Sequence, residues 1–334
     1  MICSLKKAWP AMIIALLTTT SAVQAEGWCN EAPECRSPCL CGDFSVNVDA
    51  LIWEAVEEGL CYGAVTDLNE TELKNQKFKW NAGVRVGLGY QLPCDCWDVA
   101  LSWTHFNSKS KRELSLDPGE FFISTWGELP IGGLSGAAVS DHWKLDFNVL
   151  DADLGHVICV NDCLSFRPHV GLRAAWIDQK VHIDATGASG ELPFTNEVHM
   201  KSDYEGIGLR AGLDSEWSFG CGWGLYGSAD ASILAGESKS CIRDATTFAG
   251  LTTIVSQKYK SRACRAATDL AIGLRWQDRF CCDSILLTLQ VGWEQHLFFN
   301  QNNFKHFVSL FNQGQSEKGD LCLQGWVFSA KVDY

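Results

Sequence analysis

Proline is nearly missing from this sequence, with 8 residues among 334. Pro removes a ladder hydrogen bond and is kept out of sheet interiors, so its scarcity leaves room for long unbroken strands. Long apolar runs are missing too. The one clear run, from Ala8 to Leu17, falls short of the ~20 residues a spanning helix needs, which excludes a helical membrane protein. Positive charge is in deficit: 27 Lys and Arg against 40 Asp and Glu give a formal net charge of −13. Such a chain lacks the basic footprint of nucleic-acid binding, and no nucleic-acid partner is expected. Catalytic signatures are absent as well. There is no GxSxG, no HExxH, and no Walker or GxGxxG loop between a strand and a helix. Gly206-x-Gly208 and Gly220-x-Gly222 fall within or between strands. His169, His296 and the polar-face carboxylates lack the Ser/His companions of a lipid-modifying barrel enzyme, so neither an enzyme nor a cofactor is expected.

What is present begins with an export signal. Lys6 and Lys7 precede the apolar run, and small residues lead to Val23-Gln24-Ala25, so residues 1–25 read as a signal peptide cleaved after Ala25. About 309 residues remain, carrying a formal charge of about −15. Residues 26–42 form a Cys- and Pro-rich leader without periodicity, expected in the periplasm. Glycine (30) and tryptophan (14) are abundant.

The last strand sets the pattern. Tyr334, Val332, Ala330, Phe328 and Trp326 alternate with Asp333, Lys331, Ser329 and Gly325, interrupted by Val327. One greasy face, one polar face and a terminal aromatic are the marks of the closing strand of an outer-membrane barrel. Similar alternation recurs at about 43–57, 76–91, 97–107, 141–157 and 164–182, and then around 207–219, 223–233, 269–276 and 285–296. In the fourth of these, Trp143, Leu145, Phe147 and Val149 share a phase that Leu150 and Leu154 leave, which predicts a bulge near 149–151. Long connections (58–75, 108–140, 183–197, 237–260, 301–320) alternate with short ones (93–96, 158–163, 220–222, 277–284). The fold class expected over residues 43–334 is therefore all-β: an up-and-down transmembrane antiparallel barrel of ten strands, or twelve if 108–140 hides a hairpin near Phe121–Trp126. Short turns and both termini belong on the periplasmic side.

Alternation alone does not say which face is inside. Two features place the apolar face against lipid. Glycines interleave with the charged residues, making room for long side chains in a narrow lumen. Tryptophans also gather near both ends of the strands, with Trp97, Trp217, Trp223 and Trp276 by the short turns and Trp80, Trp143 and Trp176 by the long loops, as in aromatic girdles. The residues expected to line a pore are then Arg85, Arg167, His169, Arg173, Arg210, Asp214, Glu216, Asp230, Asp269, Arg275 and Glu294. Outer-membrane lipid outside and small solutes or ions inside are the expected partners.

Fifteen cysteines follow the signal, and in an exported chain they imply disulfides. Cys29, Cys35, Cys39, Cys41, Cys94, Cys96, Cys159, Cys163, Cys221, Cys281 and Cys282 all lie in the leader or the short turns. They can staple the periplasmic rim internally, or link the chain to other envelope proteins or to further copies of itself. No metal is expected, because the leader lacks two CxxC knuckles.

Several segments carry a family resemblance: DALIWEAVEEGL around 50–60, WKLDFNVLDADLG (143–155), FRPHVGLRAAWIDQ (166–179), WGLYGSADASILAG (223–236) and GWEQHLFFNQNNF (292–304). They resemble the Legionella-type pore-forming major outer membrane proteins, members of which occur in Chlamydia-related bacteria. The resemblance spans nearly the whole mature chain. It implies a porin for passive diffusion, with disulfide cross-linking as in the chlamydial envelope; a structural or adhesive barrel with an occluded lumen is the alternative.

Overall fold

The computed structural model describes residues 44–67, 70–93, 96–126, 133–280, 285–302, 304 and 319–334. The expected signal peptide and leader fall outside these residues, as do Cys94, Cys281 and Cys282. The described residues contain β1 (Phe44–Glu57), β2 (Cys61–Thr66), β3 (Thr71–Asn75), β4 (Trp80–Gln91), β5 (Trp97–Ser115), β6 (Phe121–Ser124) and β7 (Leu134–His156). They continue with β8 (Ile158–Asn161), β9 (Leu164–Ser189), β10 (Leu192–Gly220), β11 (Trp223–Phe248), β12 (Leu251–Phe280), β13 (Ile285–Asn302) and β14 (Gly319–Asp333).

Ten of these close a ring in the order β1, β4, β5, β7, β9, β10, β11, β12, β13, β14 and back to β1. Every neighbour is antiparallel, and the seam runs from Ser45 opposite Asp333 to Glu57 opposite Leu321. The closing strand thus pairs with the first, as the alternation at the C-terminus implies. Of the remaining strands, β8 pairs with the start of β9, while β2, β3 and β6 form a small sheet joined to β7 through β6. The segment around Phe121–Trp126 therefore adds no pair to the barrel, and the ring stays at ten.

Several strands run far past the lipid-facing stretch. The expected loops at 183–197 and 237–260 are mostly strand: β9 and β10 meet at a tight turn containing Gly190, and β11 and β12 at Ala249-Gly250. Ala249 and Gly250 both have positive φ, 51° and 80°, the backbone that two-residue hairpins require. In sequence these stretches read as loops because their outward faces are polar.

The expected bulge near 149–151 is absent. Pairing of β5 with β7 is continuous from Trp97 opposite His156 to Ser115 opposite Ala138. Odd positions of β7 point inward throughout: Val139, Trp143, Leu145, Phe147 and Val149, then Asp151 and Asp153, all buried. The apparent phase slip is the level where the environment on both sides of the wall changes. Below it, lipid lies outside and an ionic interior inside; above it, water lies outside and an apolar interior inside. Trp143 consequently leaves the expected outer girdle and is 1% exposed within the barrel.

The other girdle tryptophans face outward. Trp97, Trp217 and Trp223 are exposed near the short turns and Trp276 is half-buried there, while Trp80 and Trp176 are exposed farther up. Trp80 meets Trp293 edge-on at 5.9 Å, and Trp293 meets Trp326 at 5.6 Å. The lipid belt between these levels includes Val46, Val48, Leu88, Leu101, Leu154, Val170, Leu172, Leu209, Ile272 and Phe328, all well exposed.

The upper interior is one apolar cluster. Leu51, Trp53, Phe106, Leu145, Ile177, Tyr204, Phe298 and Leu323 are at most 1% exposed, and Tyr62, Phe122 and Trp126 of the small sheet and its following turn join them. Burying each such side chain contributes ~1.5–3 kcal/mol, a driving force the lower, ionic interior does not have.

Candidate functional site: the charged interior of the lower barrel

Inward positions of the lipid-level strands carry charge, and the register sets these charges side by side. All eleven residues expected to line a pore point into the barrel. All eleven, with five further side chains, join two sets of ion pairs; only the Arg275–Glu216 pair stands apart from the long network.

From β4, Arg85 grips Glu294 of β13 with two bonds, Nη2 to Oε2 at 2.7 Å and Nη1 to Oε1 at 3.0 Å, and reaches Asp49 of β1 at 3.2 Å. His296 connects Glu294 (3.1 Å) to Asp269 of β12 (2.8 Å). Asp269 pairs at 2.6 Å with Arg173 of β9, which forks onto Asp151 of β7 at 2.7 and 2.9 Å. Arg210 of β10 then links Asp153 of β7 to Asp230 of β11, the latter at 3.0 Å. Nε2 of His169 lies 2.7 Å from Asp230, and its Nδ1 lies 3.5 Å from Asp214. Asp214 meets Arg167 at 2.9 Å, and Arg167 ends the chain on Asp98 of β5. Nearer the short turns, Arg275 pairs with Glu216 and donates to Ser218.

Sequence reasoning missed Asp49, Asp98, Asp151, Asp153 and His296 as members of this set. Asp49 and His296 read as polar-face residues but were not grouped with the lining charges. The expected bulge already turned Asp151 and Asp153 away from Leu150 and Leu154, but they were not grouped with the lining charges; the structure reaches the same side with unbroken register.

Glycines open the space for this network. A Cβ on Gly212 would meet Asp230 and His169, and one on Gly155 would meet the Arg167 guanidinium at 2.5 Å. The interleaving of glycine with charge is thus a packing device, as the sequence implies.

The charges are paired with one another at low exposure. Arg173, His169 and Arg275 are no more than 6% exposed, and Asp269 is 5% exposed. Arg85–Glu294 and Arg173–Asp269 each cross the lumen between strands that are three apart in the ring. Above them, Phe147 of β7 and Phe298 of β13 touch edge-on with centroids 5.4 Å apart. These two strands stand on opposite sides of the ten-membered ring. Gln179 of β9 also reaches Glu57 of β1 at 3.0 Å. Among the described residues, the interior is spanned by side chains at both levels.

A closed antiparallel ring with an apolar outer belt, aromatic borders and an ionic interior at lipid level is an outer-membrane β-barrel. The chain belongs to the family of the Legionella pneumophila major outer membrane protein precursor, whose profile matches residues 36–334. Its place is the outer membrane. Among solved structures, the outer membrane protease OmpT of Escherichia coli is similar at 10% identity and a TM-score of 0.45, over 91% of this chain and 99% of that one. A FadL homologue of Pseudomonas aeruginosa shows 9% identity and a TM-score of 0.29, over 88% and 90% of the two chains. A major outer membrane protein of Thermus thermophilus shows 11% identity and a TM-score of 0.27, over 88% and 99%. Among curated proteins no match is found.

Proposed function

We propose that this chain is a non-enzymatic, closed-lumen barrel of the outer membrane. In this reading it anchors a β-walled projection at the cell surface and reinforces the envelope. Of the two expectations from sequence, the diffusion porin and the occluded barrel, the second has the better geometric support. A passive pore needs a continuous water path, and ten strands enclose a far narrower lumen than the 16–18 of open porins. The observation that carries the reading is the Phe147–Phe298 contact across the full width of the ring.

Conductance of the full chain in a planar bilayer tests it. The wild type is expected to give no steady ohmic current, and F147A/F298A to give more than the wild type. A steady wild-type conductance returns the diffusion channel to first place.

The envelope role rests on the cysteine-rich rim. At the short-turn end, Cys163 is a free thiol beside the β8–β9 turn. Linkage of this rim to neighbouring envelope proteins or further copies is expected to give bands above monomer mass in non-reducing electrophoresis of isolated envelopes. Monomer alone refutes it.

A further inference from the structure

On the outer wall above the lipid belt, strand register sets four lysines in a row. Lys109 on β5 stands opposite Lys144 on β7, Lys144 opposite Lys180 on β9, and Lys180 opposite Lys201 on β10. Like charges directly opposite on neighbouring strands destabilise a sheet. Lys201 is relieved by Asp203 at 2.5 Å. Lys109, Lys144 and Lys180 form no salt bridge among the described residues. The row therefore offers an external anion three ammonium groups that no salt bridge occupies.

The row also borders a concavity of about 390 Å³. Lys79 and Lys111 complete its cationic lining, His142 and His182 border it on the next rung outward, and no carboxylate lines it. That volume lies at the lower end of the range for small-molecule sites. Asp146 and Asp178 face each other on the rung nearer the lipid. They leave the solvent side of the row as the approach for an anion, and they offer acceptors for hydroxyl groups beside it.

Height narrows the ligand further. Lys180 follows Trp176, the last lipid-facing residue of β9, by four positions. At ~3.3 Å per residue and a tilt of ~40°, the row stands ~10 Å beyond the belt, just past a headgroup layer of ~5–8 Å. A sugar phosphate rising from the membrane surface reaches that level, and so does a soluble one.

We propose that this concavity binds a phosphorylated saccharide, with the phosphate held by Lys109, Lys144 and Lys180 and sugar hydroxyls turned toward Asp146 and Asp178. The site is independent of whether the lumen conducts.

The test uses the full chain in zwitterionic detergent, titrated calorimetrically with a diphosphorylated glycolipid, with the same glycolipid dephosphorylated, and with soluble glucose 1,6-bisphosphate. The phosphorylated glycolipid is expected to bind at least tenfold more tightly than its dephosphorylated form. K144E/K180E should lose that preference, K144R/K180R should keep it, and K258E/K260E on another part of the wall should leave it unchanged. If the soluble bisphosphate also binds, with the same sensitivity to K144E/K180E, the site stands and its ligand is a free sugar phosphate. If it does not, the site belongs to the membrane glycolipid. Equal affinity for the two glycolipids together with no binding of the bisphosphate overturns the proposal, as does an equal loss in K258E/K260E.

Discussion

The lower and upper halves of this barrel are built from the same strands with their faces exchanged. On β7, Leu150, Ala152 and Leu154 face lipid while Asp151 and Asp153 point inward; farther up, His142, Lys144 and Asp146 face water while Trp143, Leu145 and Phe147 fill the interior. Lipid tails are as apolar as a protein core, so in the lower half burial against lipid gives the interior no reason to be apolar. There the lumen is instead held by charges that satisfy one another. In the upper half the outside is water, and the hydrophobic effect fills the interior as it does in a soluble barrel. One chain thus uses two stabilising principles in series, and the switch costs no break in register.

The largest effect that tests this contrast lies in the lower half. R173A would leave Asp151 and Asp269 buried without their shared guanidinium, an expected loss of ~3–5 kcal/mol in urea unfolding followed by tryptophan fluorescence in lipid vesicles. Removing all three charges in R173M/D151N/D269N is expected to restore much of that loss. If R173A costs no more than a surface change, the network does not hold the lower interior.

The outer surface separates the halves next. L172K puts a charge into the lipid belt and is expected to cost ~2–4 kcal/mol, whereas T195K on the outer wall of β10 is expected to stay within ~0.5 kcal/mol. Equal costs would move the membrane boundary.

A narrower test uses pH and the upper half alone. Asp141 is 2% exposed, its Oδ1 finds no hydrogen-bond partner among the described residues, and burial pushes its carboxyl up from 3.8 to about 7 against a smaller pull from Arg112. The folded state therefore holds this proton more tightly than the unfolded chain does. Its contribution is complete below pH ~4 and is lost as pH rises through ~7, a span of roughly 4 kcal/mol or less. D141N is expected to flatten thermal stability across that interval, measured by circular dichroism; an unchanged pH profile would remove Asp141 as the cause.

Much of this architecture was legible in the residues. Alternation in β1, β9, β10 and β14 gave both the strands and their faces, and the short turns marked one rim. The alternation failed where it met the exchange of faces. Trp143, Leu145 and Phe147 read as lipid-facing because apolar residues in a membrane barrel are expected outside, and the hairpin extensions above the belt read as loops because their outward residues are polar. Both errors come from holding one solvent fixed along a strand that crosses two.

A period of two is a property of the chain itself, since side chains of an extended backbone must alternate. The sequence therefore determined the ten barrel strands, the phase of their lower halves and most of the inward charges. Which charge meets which, and whether the passage between them stays open, depends on distances across the closed ring. Phe147 and Phe298 lie 151 positions apart in the chain, and only ring closure brings them into contact. The lysine row likewise exists only because four separate strands settle into one register.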